Sequence, residues 1–340
     1  AVWGRIPPPI GGMALHLRRL LPRLAEAGIT VQMYSVGRKT PEHPQVREVS
    51  DHRLVWFAGL LFGACEPVHY VFSADTRAQF AASMLACLRG TRVVLRVGDG
   101  EILALAADST SFIQRRMVRF ALRHATVVVG VNEKICAKAV SLGAKRVIHV
   151  PGFIPEVPEG KSVPEDVDRF LKASRYPVML ASGEIFDPDD DDLYGAYKLL
   201  GLLERIPKLS LVFFAYRITC GAGAQERLIE EIARRCLQDR YLIHRSTTDL
   251  LPAMLRCDLL VRPTRSDGDS NAVREALHLG LPVVASDCAK RPEGVVTFPA
   301  GDMGAFKETV SRVLDDRERH RERVRSLPKL DHAKPIVELF

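Results

Sequence analysis

Asp267 and Glu275 stand eight positions apart in the run Arg262-Pro-Thr-Arg-Ser-Asp-Gly-Asp-Ser-Asn-Ala-Val-Arg-Glu-Ala-Leu-His-Leu-Gly-Leu-Pro-Val-Val-Ala-Ser-Asp287. Gly268, Asp269, Ser270 and Asn271 favour a turn that ends in helix-capping residues. Residues 273–279 have helical spacing, Gly280 stops the helix, and 282–286 return as a buried strand. A loop of this kind directs backbone N–H groups into the space before the helix. With the helix dipole behind them, those groups suit the phosphates of a nucleotide, and a carboxylate one turn into the helix accepts two hydrogen bonds from a ribose diol. The alternative is a surface loop with two solvated acids.

Other clusters offer less. The run Asp187-Pro-Asp-Asp-Asp-Asp192 lacks the alternating ligands and terminal Glu of a calcium loop, so it reads as solvated and no metal is expected. No Ser-His-Asp, Cys-His or zinc spacing stands out. Cys65, Cys87, Cys136, Cys220, Cys236, Cys257 and Cys288 contain no C-x-x-C pair and sit mostly among apolar neighbours. They read as reduced thiols of a cytoplasmic protein, and the odd count argues against a disulfide framework.

The elements that must position these residues follow from periodicity. At 340 residues and 47% hydrophobic, the chain can bury a large core, and its length suggests two domains. No apolar run approaches the roughly 18 residues that span a bilayer; the longest candidate, 54–65, is broken by Gly59 and Gly63. Residues 1–3 read as the stump of a strand, which places the natural start a few residues earlier. Strands are expected at 30–35, 69–72, 92–97, 127–131 and 146–150, with helices at 13–27, 75–88, 109–124 and 133–141, forming a domain over 1–156. Residues 157–177, rich in Pro and charge, have the composition of a linker. A second domain over 178–318 carries strands at 178–182, 209–215, 241–243, 259–261 and 283–285 and helices near 193–204, 224–238, 248–256 and 304–314. Residues 319–340 form a tail that crosses back to the first domain. Strands separated by helix-length segments imply an α/β protein with a doubly wound parallel sheet in each half, and ligands at the C-terminal strand ends.

The motif around Asp267 and Glu275 resembles the acid-x7-acid motif of family 4 of the retaining glycosyltransferases, with Asp267 in the place of the first Glu. The resemblance implies a GT-B fold, in which two Rossmann-like domains face each other across a cleft and the C-terminal one grips a nucleotide-sugar. Pro7-Pro-Pro-Ile-Gly-Gly-Met-Ala14 is similar to the family's opening glycine loop, so Gly11 and Gly12 would close over the donor, and His16 falls on the helix that follows. Pro151-Gly-Phe-Ile154 resembles the end of the N-terminal domain, and Arg291-Pro-Glu-Gly-Val295 with Gly301-Asp302 resembles the segment after the motif. On this resemblance Glu275 binds ribose, Asp267 the sugar hydroxyls, and Gly268, Asp269, Ser270 and Asn271 the sugar or phosphate.

Three departures are visible. Where many relatives place a His beneath the donor sugar, this chain reads Val97-Gly98-Asp99, so Asp99 is either a turn residue or a sugar contact. The family's Arg and Lys-Gly, which neutralise the donor diphosphate, align with Glu184 and Tyr194-Gly195. The compensating cation is then sought at Arg217, after the 209–215 strand, or at Arg265, Lys198 or Arg245. Third, Asp267 is one methylene shorter than Glu.

Charge is uneven: 20 Lys and Arg face 11 Asp and Glu up to Glu156, and 28 face 30 after it. Arg18, Arg19 and Arg23 on the first helix and Arg115, Arg116, Arg119, Arg123 and His124 on a later one suit an anionic membrane surface or a lipid-pyrophosphate acceptor, or are plain solvated helix faces. Aromatic content of 7% and the lack of a recognisable motif argue against nucleic acid. These features together point to a retaining glycosyltransferase, cytoplasmic or peripheral at the inner face of the plasma membrane. It would move a sugar from a UDP- or GDP-type donor to a glycan or lipid-linked acceptor in cell-surface polysaccharide synthesis, with no cofactor beyond its substrates. Two alternatives stay open: a GT-B nucleotide-sugar epimerase, and a degenerate, non-catalytic partner subunit.

Overall fold

The computed structural model describes residues 2–4, 12–35, 46–48, 68–73, 83–98, 111–156, 162–186, 192–216, 223–245 and 249–340. They form two compact units, one of Ala1–Ile154 with Asp331–Phe340 and one of Pro155–Leu330.

The first unit is built on strands β1 (Val2–Gly4), β2 (Met33–Ser35), β3 (Val46–Glu48), β4 (Val68–Ser73), β5 (Arg92–Val97), β6 (Val127–Gly130) and β7 (Val147–His149). All pairs are parallel, in the order β3-β2-β1-β4-β5-β6-β7. The strand order reverses between β1 and β4, the kind of switch point at which parallel α/β sheets hold ligands. Helices α1 (Gly12–Glu26), α2 (Phe112–His124) and α3 (Glu133–Ser141) connect them. Capping sets where two of these begin: Ser111 Oγ accepts from the Gln114 N–H at the start of α2, and Asn132 Oδ1 from the Ile135 N–H at the start of α3. Helix α1 buries Leu17, Leu20, Leu21 and Leu24 against β1 and β4, as its spacing predicts.

The C-terminal helix α11 (Lys334–Val337) belongs to this unit. Ala333, Ile336 and Leu339 join the α1 side of the core, Phe340 stacks on Tyr70 with ring centroids 5.6 Å apart, and Arg92 Nη2 donates to the Leu339 carbonyl.

In the second unit, strands β8 (Val178–Gly183), β9 (Ser210–Ala215), β10 (Tyr241–Arg245), β11 (Leu259–Arg262), β12 (Val283–Ser286) and β13 (Val295–Phe298) form a parallel sheet in the order β10-β9-β8-β11-β12-β13. Helices α5 (Lys198–Arg205), α6 (Ala224–Arg234) and α9 (Met303–Asp315) cover one face. Helices α4 (Glu165–Ala173), α7 (Leu251–Met254) and α8 (Asn271–His278) cover the other, and α10 (Arg317–Arg325) follows α9. Strand β9 shows why its sequence is apolar without alternation. Leu211, Phe213 and Ala215 enter one face's core while Val212 and Phe214 enter the other's. Truncating Phe213 or Phe214 to Ala would cost about 3–5 kcal/mol.

The stretch read as a linker, 157–177, contains α4, and α4 is packed. Val167 is fully buried, Asp166 meets His244 of β10 at 2.7 Å, and Asp168 pairs with Arg256 and Lys172. Strands β3 and β13 and helices α10 and α11 also lack a sequence expectation; each is short or strongly charged, so periodicity gives little to read.

On α1 the arginines do not form one solvated face. Arg19 is buried, with Nη1 3.4 Å from the Ile154 carbonyl, and Arg23 pairs with Glu26. Helix α2 does present Arg116, Arg119 and Arg123 to solvent. Among the described residues, no helix is long and apolar enough to cross a membrane, and no group of His, Cys, Asp and Glu is placed to hold a metal ion.

Candidate functional site

The segment between β11 and α8 lies at the C-terminal end of the second sheet, next to the switch between β8 and β11. Ser270 caps α8, its Oγ accepting from the Val273 N–H at 3.4 Å. Gly280 ends the helix at φ +77°, and a Cβ there would lie 2.7 Å from Arg325 Cγ, so both backbone and packing call for glycine. The local chemistry read from the sequence is therefore what shapes the loop and helix.

Asp267 is held by two arginines. Arg262, the last residue of β11, donates from Nε and Nη2 to its two oxygens at 2.9 and 3.0 Å, and Arg291 Nη1 donates to Oδ2 at 2.7 Å. The three side chains are 8% (Asp267), 11% (Arg262) and 4% (Arg291) exposed. Burial opposes ionisation of Asp267, but the charges and hydrogen bonds of Arg262 and then Arg291 outweigh it and hold the carboxyl at about 2. The remaining donors also turn inward: Arg262 Nη1 to the Ser182 carbonyl and Arg291 Nε to the Ser286 carbonyl. Arg262 further lies 5.1 Å from the ring centre of Tyr194, whose ring occupies the place a Cβ at Gly183 would need. Two cations on one carboxylate leave this network with one net positive charge.

The rest of the motif is ordered around it. Asp269 pairs with Arg274 at 2.5 Å and is itself 8% exposed. Glu275 is 2% exposed, one turn into α8. Its charge, after burial, helps keep the nearby Tyr216 phenol protonated to well above its ordinary range. Asn271 is the first residue of α8. At Gly268 an added Cβ would meet no heavy atom within 4 Å, so open space lies in front of the turn.

Structure thus brings together Asp267, Gly268, Asp269, Ser270, Asn271 and Glu275. Gly12 opens α1 in the other unit, while Gly11, Asp99, Arg217 and residues 187–191 lie outside the described residues. Arg245 is engaged with Gln225 of α6. Lys198 and Arg265 line one recess of about 480 Å³ together with Ala300 and Gly301. His16, on α1, is buried, with Nδ1 2.8 Å from the Gly152 carbonyl and Nε2 3.2 Å from the Tyr70 hydroxyl. The carbonyl requires a donor at Nδ1, so Nε2 accepts from Tyr70. Burial and then Arg96 push its pKa far down and keep it neutral. Arg262 and Arg291 were not singled out by sequence. The one signal was a cation closing the otherwise apolar β11.

Residues 198–316 match the family model described as "Glycosyl transferases group 1". No curated protein sequence matches the chain. Sucrose-phosphate synthase from Thermosynechococcus elongatus superposes with a TM-score of 0.71 at 18% identity, covering 99% of this chain and 98% of that one. HepE from Anabaena, solved with UDP, gives 0.72 at 14%, covering 99% and 94%. The lipopolysaccharide outer core galactosyltransferase WaaB gives 0.63 at 13%, covering 99% and 98%. The shared fold is GT-B.

Proposed function

We propose that the chain, whose fold is GT-B and whose residues 198–316 match the group 1 glycosyl transferase model, transfers a sugar, with retention, from a UDP- or GDP-sugar to a glycan or lipid-linked acceptor. The observation that carries this is the β11–α8 segment: a turn fixed by Asp267, with open space before Gly268 and a buried Glu275 one turn into the helix. In this reading Glu275 binds the ribose diol and the N–H groups of 268–271 face the donor. Asp267 is the positioning residue that fixes the turn through Arg262 and Arg291, and it keeps one oxygen, Oδ1, with capacity for a sugar hydroxyl. The UDP held by HepE supports a uridine nucleotide, and WaaB's acceptor supports a cell-surface glycan.

The chemistry asks for little acid–base work. As the sugar departs, charge collects on the diphosphate and the sugar gains oxocarbenium character. The enzyme must stabilise that anion with fixed donors and hold the acceptor hydroxyl on the same face. Gly11 and Gly12 would close on the donor, Asp99 would contact the sugar, and Arg217 would serve the β-phosphate. We place the protein in the cytoplasm, at the inner face of the plasma membrane, where an anionic surface and a lipid-linked acceptor are both at hand. No metal is required at the donor.

The test is nucleotide binding by thermal shift and calorimetry. UDP or GDP should raise the melting temperature, and Glu275→Ala should weaken binding roughly ten- to a hundredfold, the worth of charge-assisted hydrogen bonds to the ribose. Equal affinity in the variant removes Glu275 from the site.

A further inference from the structure

The chain leaves the first unit after Ile154 and re-enters it at Asp331. Strand β7 ends at His149, so the carbonyls that follow it need partners other than a sheet neighbour. Buried side chains of β5 and α1 supply them. Arg96, wholly buried on β5, donates from Nη2 to the Val150 carbonyl at 3.1 Å and to the Pro151 carbonyl at 2.8 Å. His16 Nδ1 donates to the Gly152 carbonyl at 2.8 Å, and Arg19 Nη1 lies 3.4 Å from the Ile154 carbonyl. The exit at 150–154 is thus held by residues far back in the sequence.

The returning chain meets the same side chains. Ala333, Ile336 and Leu339 pack into the α1 side of the core, and Phe340 stacks on Tyr70. Tyr70 lies on β4 between Val2 of β1 and Val94 of β5. Its hydroxyl joins the two passages: it donates to His16 Nε2 at 3.2 Å and accepts from Arg96. Burial pushes the Tyr70 phenol up to about 12 and the His16 imidazole far down. Tyr70 therefore keeps the proton it donates, and His16 keeps the neutral lone pair that accepts it. A continuous path runs from the Gly152 carbonyl through His16 and Tyr70 to Phe340.

We infer that His16 and Tyr70 are positioning residues that join the head of α1, the exit at 150–154 and the returning segment 331–340 into one cooperative piece. A buried network of this kind shifts as a unit, because moving one member alone leaves another's buried donor or acceptor unmet. The use of this piece in transfer rests on the nucleotide-sugar reading above. Gly12 opens α1 one turn before His16, so a glycine turn that closes on a donor draws the exit and the returning segment with it. The bending then falls outside the piece, beyond Ile154 and before Asp331.

Hydrogen exchange of the full chain, read by mass spectrometry, tests this in the parent and in Tyr70→Phe, His16→Asn and Phe340→Leu. Tyr70→Phe is the mildest, since it removes the hydroxyl and keeps the ring that stacks on Phe340. In each variant, exchange should rise roughly three- to tenfold in 12–20, 150–154 and 331–340 together, as loss of one buried contact allows, with α2 and the second unit at parent rates. Phe340→Leu is the reciprocal arm: a change in the returning segment should reach 150–154 as a change at His16 reaches the returning segment. No rise, or a rise confined to the altered residue's own segment, overturns the coupling. So does an equal rise in α2, which marks plain loss of stability throughout the unit. UDP and GDP binding, measured alongside, separates the two ideas. If the three segments loosen together in a chain that binds neither nucleotide, the cooperative piece stands and the nucleotide-sugar reading fails. Nucleotide binding with segments that loosen independently does the reverse.

Discussion

Arg262 and Asp267 form a bidentate pair at 2.9 and 3.0 Å, with Arg291 adding a third hydrogen bond to the same carboxylate at 2.7 Å. All three groups are nearly out of solvent, so removing the acid would strand two buried cations. Asp267→Ala is expected to destabilise the protein by about 3–5 kcal/mol, as loss of one partner from a buried ion pair does. Chemical denaturation reads this directly. A midpoint and slope equal to the parent's would show that the pair carries no stability.

The same pair sets an acid dependence. The Asp267 carboxyl is held at about 2 against an ordinary 3.8, so its contribution to stability is complete above the unfolded value. It is lost as pH falls from there through about 2, because the unfolded chain takes up the proton first. The linked contribution is about 2 kcal/mol. Asp267→Asn should therefore lose stability less steeply than the parent between about pH 4 and about pH 2. Parallel pH profiles for the two proteins would contradict the linkage.

Transfer should persist in EDTA. Asp192, the last acid of the aspartate run, spends Oδ2 on capping α5, where it accepts from the Tyr197 and Lys198 N–H groups. Activity lost to the chelator and restored by magnesium or manganese would place a metal among the residues before it.

Helix α2 carries the membrane expectation. Phe112 and Ile113 are 60% and 79% exposed, Arg116 lies over the Phe112 ring, and Arg116, Arg119 and Arg123 face solvent. The protein should sediment with anionic vesicles and not with neutral ones, and salt should release it, at about 1 kcal/mol for each cation near the surface. Phe112→Ser with Ile113→Ser, or Arg116→Glu with Arg119→Glu, should reduce attachment while UDP or GDP binding stays unchanged. Indifference of the parent to anionic vesicles at low salt would favour a soluble acceptor. Arg19 is unsuitable for this test, since it is buried beside Ile154.

The sequence by itself determined the α/β alternation, most strands of both sheets and the whole of the β11–α8 segment. These depend on contacts within a few residues: an apolar run makes a buried strand, Ser270 caps α8, and Gly280 takes the left-handed conformation that ends it. What holds Asp267 was decided only by the tertiary structure. Strands β11 and β12 pair in parallel with Arg262 opposite Ala285, and the chain after β12 turns so that Arg291 binds the Ser286 carbonyl and reaches back 24 positions to Asp267. No local pattern distinguishes that arginine from a solvated one. The same holds for Arg19, whose neighbours on α1 are similar in charge but not in burial, and for 157–177, whose proline and charge read as a linker until Val167 finds the core and Asp166 finds His244. Pattern reports the chemistry a residue offers, whereas its partner is fixed by strand register and chain return, which are long-range.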